Sequence, residues 1–136
     1  MANKELKTKL TAKIEDGDFG PDDLPEYLSL FCEICNESED VQQEAEGVNL
    51  GFQFLLEGGA PFWLKIADGK FSQGSGTIEG PDNTLRASQG DGTLILIGDK
   101  DATGAYQSGA LKVEGRLPNA VKLRTFIEIV REEIEG

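Results

Sequence analysis

The chain has 136 residues and a formal net charge of −12, from 25 acidic and 13 basic residues with no histidine. The missing histidine excludes serine–histidine and cysteine–histidine nucleophiles, imidazole acid–base chemistry and the commonest zinc and iron ligand sets. The acidity disfavours nucleic acid as a partner, because no cationic surface is available to displace phosphate counterions.

Residues 3–14 predict a short helix with Leu6, Leu10 and Ile14 on one stripe. Lys7, Lys9 and Lys13 flank that stripe. It suits docking onto the domain or, as an alternative, transient contact with an anionic membrane. Asp16 to Pro21 is dense in helix breakers and reads as a loop. Asp22 or Asp23 can cap the next helix, with Pro25 in its first turn and Leu24, Tyr27, Leu28, Phe31, Ile34 and Cys35 on its buried face. Ser38 to Val41 opens a further turn or two ending at Gly47. Between Ile14 and Leu64 every charged residue is an acid. That segment reads as a solvated acidic face or, alternatively, as a docking surface for a basic partner.

The period then changes from helical to two. Val48, Leu50, Phe52, Phe54 and Leu56 alternate with Asn49, Gly51, Gln53, Leu55 and Glu57, the pattern of a half-buried strand. Phe62, Leu64 and Ile66 repeat it, with Trp63 and Lys65 turned the other way. Asp68-Gly69 predicts a hairpin turn into a third strand from Phe71, where Gly74 and Gly76 predict a bulge before Ile78. Pro81-Asp82-Asn83 turns again, and Thr84 to Ser88 reads as a fourth strand. Leu94 to Ile97 fits a buried strand or a buried helical turn equally well. Asp101 to Ser108 reads as a short helix and Leu111 to Glu114 as a fifth strand. A closing helix over 116–134 carries Ala120, Leu123, Phe126, Ile127, Val130 and Ile134 on one face. The expected fold is α+β: a five-stranded, mostly antiparallel sheet covered by amino-terminal helices and a carboxy-terminal helix, with residues 1–136 as one domain.

Three short motifs invite chemistry and fail its requirements. Cys32-x-x-Cys35 lies late in its helix among acids, where redox pairs need a helix amino terminus, so the two read as buried structural thiols, with a site shared across a dimer as the alternative. The calcium-loop opening at Asp99 to Gly104 has Ala110 where the closing carboxylate belongs, and Gly74-Ser75-Gly76 lacks a third glycine and a strand-to-helix setting. Trp63 and Leu55 share the sheet face opposite Phe52 and Leu64, which points to a partner and makes a homodimer a live expectation. No apolar run approaches the ~20 residues of a membrane span. The charged start does not read as a signal peptide, and two cysteines argue against a disulfide framework. The expected compartment is the cytoplasm.

Phe62 to Gly69, Asp101 to Gly109 with its Ser-Gly end, Leu111 to Gly115, and Ala120-x-x-Leu123, in that order, resemble the sterol carrier protein type-2 (sterol-transfer) family. The likeness runs from about Val48 to Val130. The resemblance implies an apolar cavity between sheet and helices that holds a fatty acid, acyl-CoA, sterol or phospholipid without transforming it. It places candidate lining residues along the sheet at Phe52, Phe54, Leu64, Leu85, Leu111 and Val113. On the helices it places them at Tyr106, Leu123, Phe126, Ile127 and Val130. Gln107 stands where the family often has an apolar residue, which implies a smaller cavity or a polar handle. The expected function is non-enzymatic binding, and possible transfer, of a lipid, with no cofactor or metal. The alternative is an interaction or dimerisation module of the same fold with a filled core.

Overall fold

A computed structural model describes residues 3–135; Met1, Ala2 and Gly136, which belong to the expected 1–136 unit, lie outside the described residues. Helix α1 (Lys4–Asp16) starts where the Asn3 side chain accepts the Leu6 N–H, and it ends at Gly17 in the left-handed region. Leu10 and Ile14 are buried and Leu6 packs against the same core. The stripe expected to meet either the domain or a bilayer therefore faces the domain. Two of its three flanking lysines are engaged as well, Lys9 with Glu26 and Lys13 with Asp23.

Asp23 does not cap the following helix. Its carboxylate accepts Lys13 Nζ (2.7 Å) and the Gly20 N–H (3.0 Å), closing a single 3₁₀ turn, Pro21–Asp23, ahead of α2 (Leu24–Glu37). The hydrogen bond from Lys13, then that from Gly20, holds the carboxyl below the usual aspartate range. Ser38 caps α3 (Glu39–Ala45).

Strands β1 (Asn49–Glu57), β2 (Phe62–Ala67) and β3 (Lys70–Ser75) form an antiparallel meander. Asp68 (φ 50°) and Gly69 (φ 79°) supply the two positive φ values of the expected tight hairpin. β3 keeps unbroken register from Lys70 to Ser75, so the expected bulge is absent. Gly74 instead makes room for Trp63, whose ring lies where a side chain at 74 would start.

Strand β4 (Asn83–Ser88) pairs parallel with β1, and β5 (Lys112–Gly115) pairs antiparallel with β4, giving a mixed sheet in the order β3-β2-β1-β4-β5. The parallel pair requires residues 76–82 to cross from one edge of the sheet to the far side of β1. They cross on the face away from the helices: Ile78 sits over Gly51, and the Gln53 side chain donates to the Phe62 and Gly76 carbonyls and accepts the Ile78 N–H. Gly51 and Gln53 are therefore buried, and β1 is covered on both faces rather than half-buried. Trp63 lies against Gly74 and is half-buried.

Leu94 to Ile97 is helical: α4 (Gln89–Leu96) is capped by Ser88, with Ile95 and Leu96 buried, Ile97 buried just beyond its end and Leu94 outward. Helix α5 (Ala102–Ser108) is capped by Asp101, and α6 (Leu117–Glu135) closes the fold. β5 enters α6 through Gly115 (φ 94°), where any Cβ would collide with the Asp82 carbonyl, so only glycine fits.

The core lies between the sheet and α2 and α6. Phe71 of β3 meets Phe31 of α2 edge-on at 6.3 Å and Phe126 of α6 at 5.1 Å. On the sheet's outer edge the Asn36 amide of α2 donates to the Phe71 carbonyl (3.0 Å) and accepts its N–H (2.8 Å). Cys32 and Cys35 are free and buried. Burial, then the neighbouring Glu33, pushes the Cys32 thiol up to about 12; burial raises Cys35 as well. Neither thiol is expected to react with a soluble disulfide reagent at pH 8 until the protein is unfolded. A burst of native-state labelling in a thiol assay would contradict that.

Candidate functional site

At the β4–β5 side of the sheet the helices stand away from the strands and leave an apolar cleft of about 160 Å³. Its floor is Phe54 and Leu56 of β1, Leu85 and Ala87 of β4, and Leu111 and Val113 at β5. These share a face because Phe54 pairs with Leu85 and Leu85 with Val113 across neighbouring strands. The roof is built from α4, α5 and α6, with Ile95, Tyr106, Leu123 and Ile127 among its side chains. Gly92 of α4 has no room for a Cβ, which would run into the Leu56 methyls, so the helix presses its backbone onto the floor.

The cleft opens to solvent between α5 and α6. Tyr106, Leu117 and Val121 line it and are 42%, 44% and 56% exposed. Its polar wall is confined to that mouth: Arg124 of α6 donates from Nη1 to Thr103 Oγ1 of α5 (2.5 Å) and from Nε to Glu128 Oε1 (3.0 Å).

The expected lining residues divide. Phe54, Leu85, Tyr106, Leu111, Val113, Leu123 and Ile127 surround the cleft. Phe52, Leu64, Phe126 and Val130 lie in the packed core beside it, all 2% exposed or less, where they touch other side chains rather than space. Gln107 is exposed and away from the wall, so the polar group that belongs to the cleft is Arg124.

A second hollow of about 280 Å³ lies between the 3₁₀ turn, the start of α2 and the β1–β2 turn, with Leu56 in the wall of both. A larger groove of about 530 Å³ is bordered by Glu57, Arg86, Asp91 and Lys112 and is charged surface rather than interior. Among the described residues no three or more cysteine, aspartate or glutamate side chains gather as a metal site would require. No described helix is long and apolar enough to cross a membrane.

The sequence profile of the SCP-2 sterol transfer family matches residues 31–128, more than half of the chain. The chain belongs to that family. The SCP-2 family is one of lipid binding and transfer, and its match spans most of the sheet and the helices that form the cleft. No curated protein is significantly similar to the chain in sequence.

Among solved structures, sterol carrier protein 2 from Yarrowia lipolytica in its apo form superposes with a TM-score of 0.55 at 18% identity, over 76% of this chain and 88% of that one. The UbiJ-SCP2 ubiquinone synthesis protein superposes at 0.61 and 16% identity, over 90% and 96%. The sec-alkylsulfatase Pisa1 from Pseudomonas sp. contains the same fold: TM-score 0.62, 18% identity, 82% of this chain but 16% of that one. The chain thus spans about a sixth of the sulfatase, and the SCP-2 fold occurs there as part of a larger protein. Likeness at these identities establishes the α+β fold with its five-stranded mixed sheet and helices.

Proposed function

We propose that the protein is a non-enzymatic carrier that holds the apolar tail of a single lipid, most simply an acyl chain, in the cleft between β4, β5 and helices α4 to α6. The observation that carries this reading is an apolar floor and roof that lead to an exposed mouth, where Tyr106, Leu117 and Val121 stand beside Arg124 and Thr103. Such a wall needs dryness and shape rather than reactive groups, and each buried methylene gains about 0.8 kcal/mol. No carboxylate lines it, so the two-carboxylate chemistry open to a chain without histidine has no place there. A cytoplasmic setting is part of this proposal, in keeping with a chain of only two cysteines, both buried.

The cleft as it stands is close in size to the engineered cavity of about 150 Å³ that accommodates benzene in another protein. Such a volume takes on the order of six carbons, and the remainder of a longer tail extends through the open mouth between α5 and α6. The test is to strip the purified protein with organic solvent and titrate it with saturated fatty acids of increasing length, reading occupancy by native mass spectrometry. The expected result is one ligand per chain, with affinity rising roughly fourfold per methylene over the shortest members. Failure to take up any chain length would overturn the reading and leave an interaction module with a filled core.

A further inference from the structure

Core packing does not account for Arg124. A helix that turns Leu123 and Ile127 inward normally sets charged residues in solvent on the opposite side. Arg124 instead shares a stripe with Leu117 and Val121 at helical spacing and lines the mouth of the cleft. Its guanidinium reaches across to Thr103 on the facing helix. Tyr106 stands three residues beyond Thr103 on the same face of α5, and its hydroxyl has no partner among the described residues. The end of the cleft nearest solvent therefore offers a guanidinium, a threonine hydroxyl and a phenol, and no acid is in its wall.

We propose that Arg124 is the head-group anchor of the cleft, and that the ligand is a single-chain amphiphile with an anionic oxygen head, a carboxylate or a phosphate. This rests on the reading of the cleft as a lipid site. The guanidinium is planar and presents paired donors that match two oxygens of either head. Its present partner is weakly held, because the Arg124–Glu128 pair is 39% and 58% exposed and such surface pairs contribute little. An incoming anion displaces Glu128, while Thr103 keeps the guanidinium turned toward the cleft. The anchor also answers an electrostatic difficulty. A chain of net charge −12 repels anions over most of its surface, so an anionic amphiphile needs one local cation where its head comes to rest.

The experiment compares three ligands with the same tail, dodecanoate, dodecyl phosphate and dodecanol, on the delipidated full chain by calorimetry. The wild type is expected to bind at least one of the two anions roughly ten-fold more tightly than the alcohol, the size of one charge-assisted contact. Preference for dodecanoate identifies a free fatty acid, and preference for dodecyl phosphate identifies a phosphorylated lipid. Arg124→Gln is expected to abolish the preference by weakening the anions about ten-fold more than dodecanol, and Arg124→Lys to retain part of it. Glu128→Gln, which removes the competing acid, is expected to raise anion affinity without affecting the alcohol. Equal binding of all three ligands by the wild type, or an Arg124→Gln variant that weakens all three alike, would overturn the anchor and leave the cleft intact as a lipid site. Binding of none would overturn the lipid site itself.

Discussion

Replacing Phe126 with alanine is expected to lower the stability of the fold by about 3–5 kcal/mol, the range for removing a fully buried phenyl ring. Phe126 is wholly buried and sets its ring edge-on to Phe71 of the sheet, which in turn meets Phe31 of α2. Removing the ring takes the last aromatic from a chain that joins two helices through one strand. Native domains are stable by only about 5–15 kcal/mol, so the variant sits near the limit of folding. At this chain length the loss corresponds to a melting temperature lower by roughly 10–15 °C. Calorimetric melts of the two proteins measure it. A loss under about 1 kcal/mol would show that α6 is held by other contacts.

Replacing Ala120 with tryptophan is expected to have the largest effect on ligand binding. Ala120 faces the cleft from α6 between Leu117 and Leu123, and it is only half-buried, so a larger side chain can be added without breaking the core. An indole directed into a space of about 160 Å³ leaves little of it for a ligand. Lipid affinity is expected to fall on the order of a hundredfold, the equivalent of the few methylenes displaced. The melting temperature is expected to hold or rise slightly, since filling a void adds packing. Displacement titration beside a thermal melt separates the two effects. Undiminished affinity in a folded variant would place the ligand elsewhere, and the hollow across Leu56 would be the next place to test.

The elements of this fold were legible because most of them bury one face only. Alternation located β1 and β2, the Asp68-Gly69 pair located the turn after them, and the three-then-four spacing located α6. The burial of Gly51 and Gln53 was not legible, because the cover comes from residues 76–82, about 25 positions further along the chain, and no local pattern in β1 announces it. The same limit explains the divided lining. Periodicity assigns Phe52 and Phe54, or Phe126 and Ile127, to the same inward face, but only the distance between helix and sheet decides which of them meets empty space. The space lies over β4 and β5, so Phe54 and Ile127 border the cleft while Phe52 and Phe126 are buried in the core beside it. Arg124 escaped notice because charge on a helix is read as solvent-facing. The available signal was Leu117 and Val121, an exposed apolar pair one turn apart that leads directly to it.

The Asn36 amide on Phe71 has a consequence that extends beyond one molecule. A sheet ends in a row of backbone donors and acceptors, and an exposed row is a template on which another chain can add a strand. At β3 the side chain of a neighbouring helix already answers the N–H and carbonyl of Phe71, much as the next strand's backbone would. Phe71 also anchors the aromatic core, so the edge cannot peel away to accept a newcomer without loosening Phe31 and Phe126. One amide thus occupies the Phe71 position of the β3 edge against strand addition, and among the described residues the sheet's other edge is the short strand β5, where Lys112 and Glu114 supply charge.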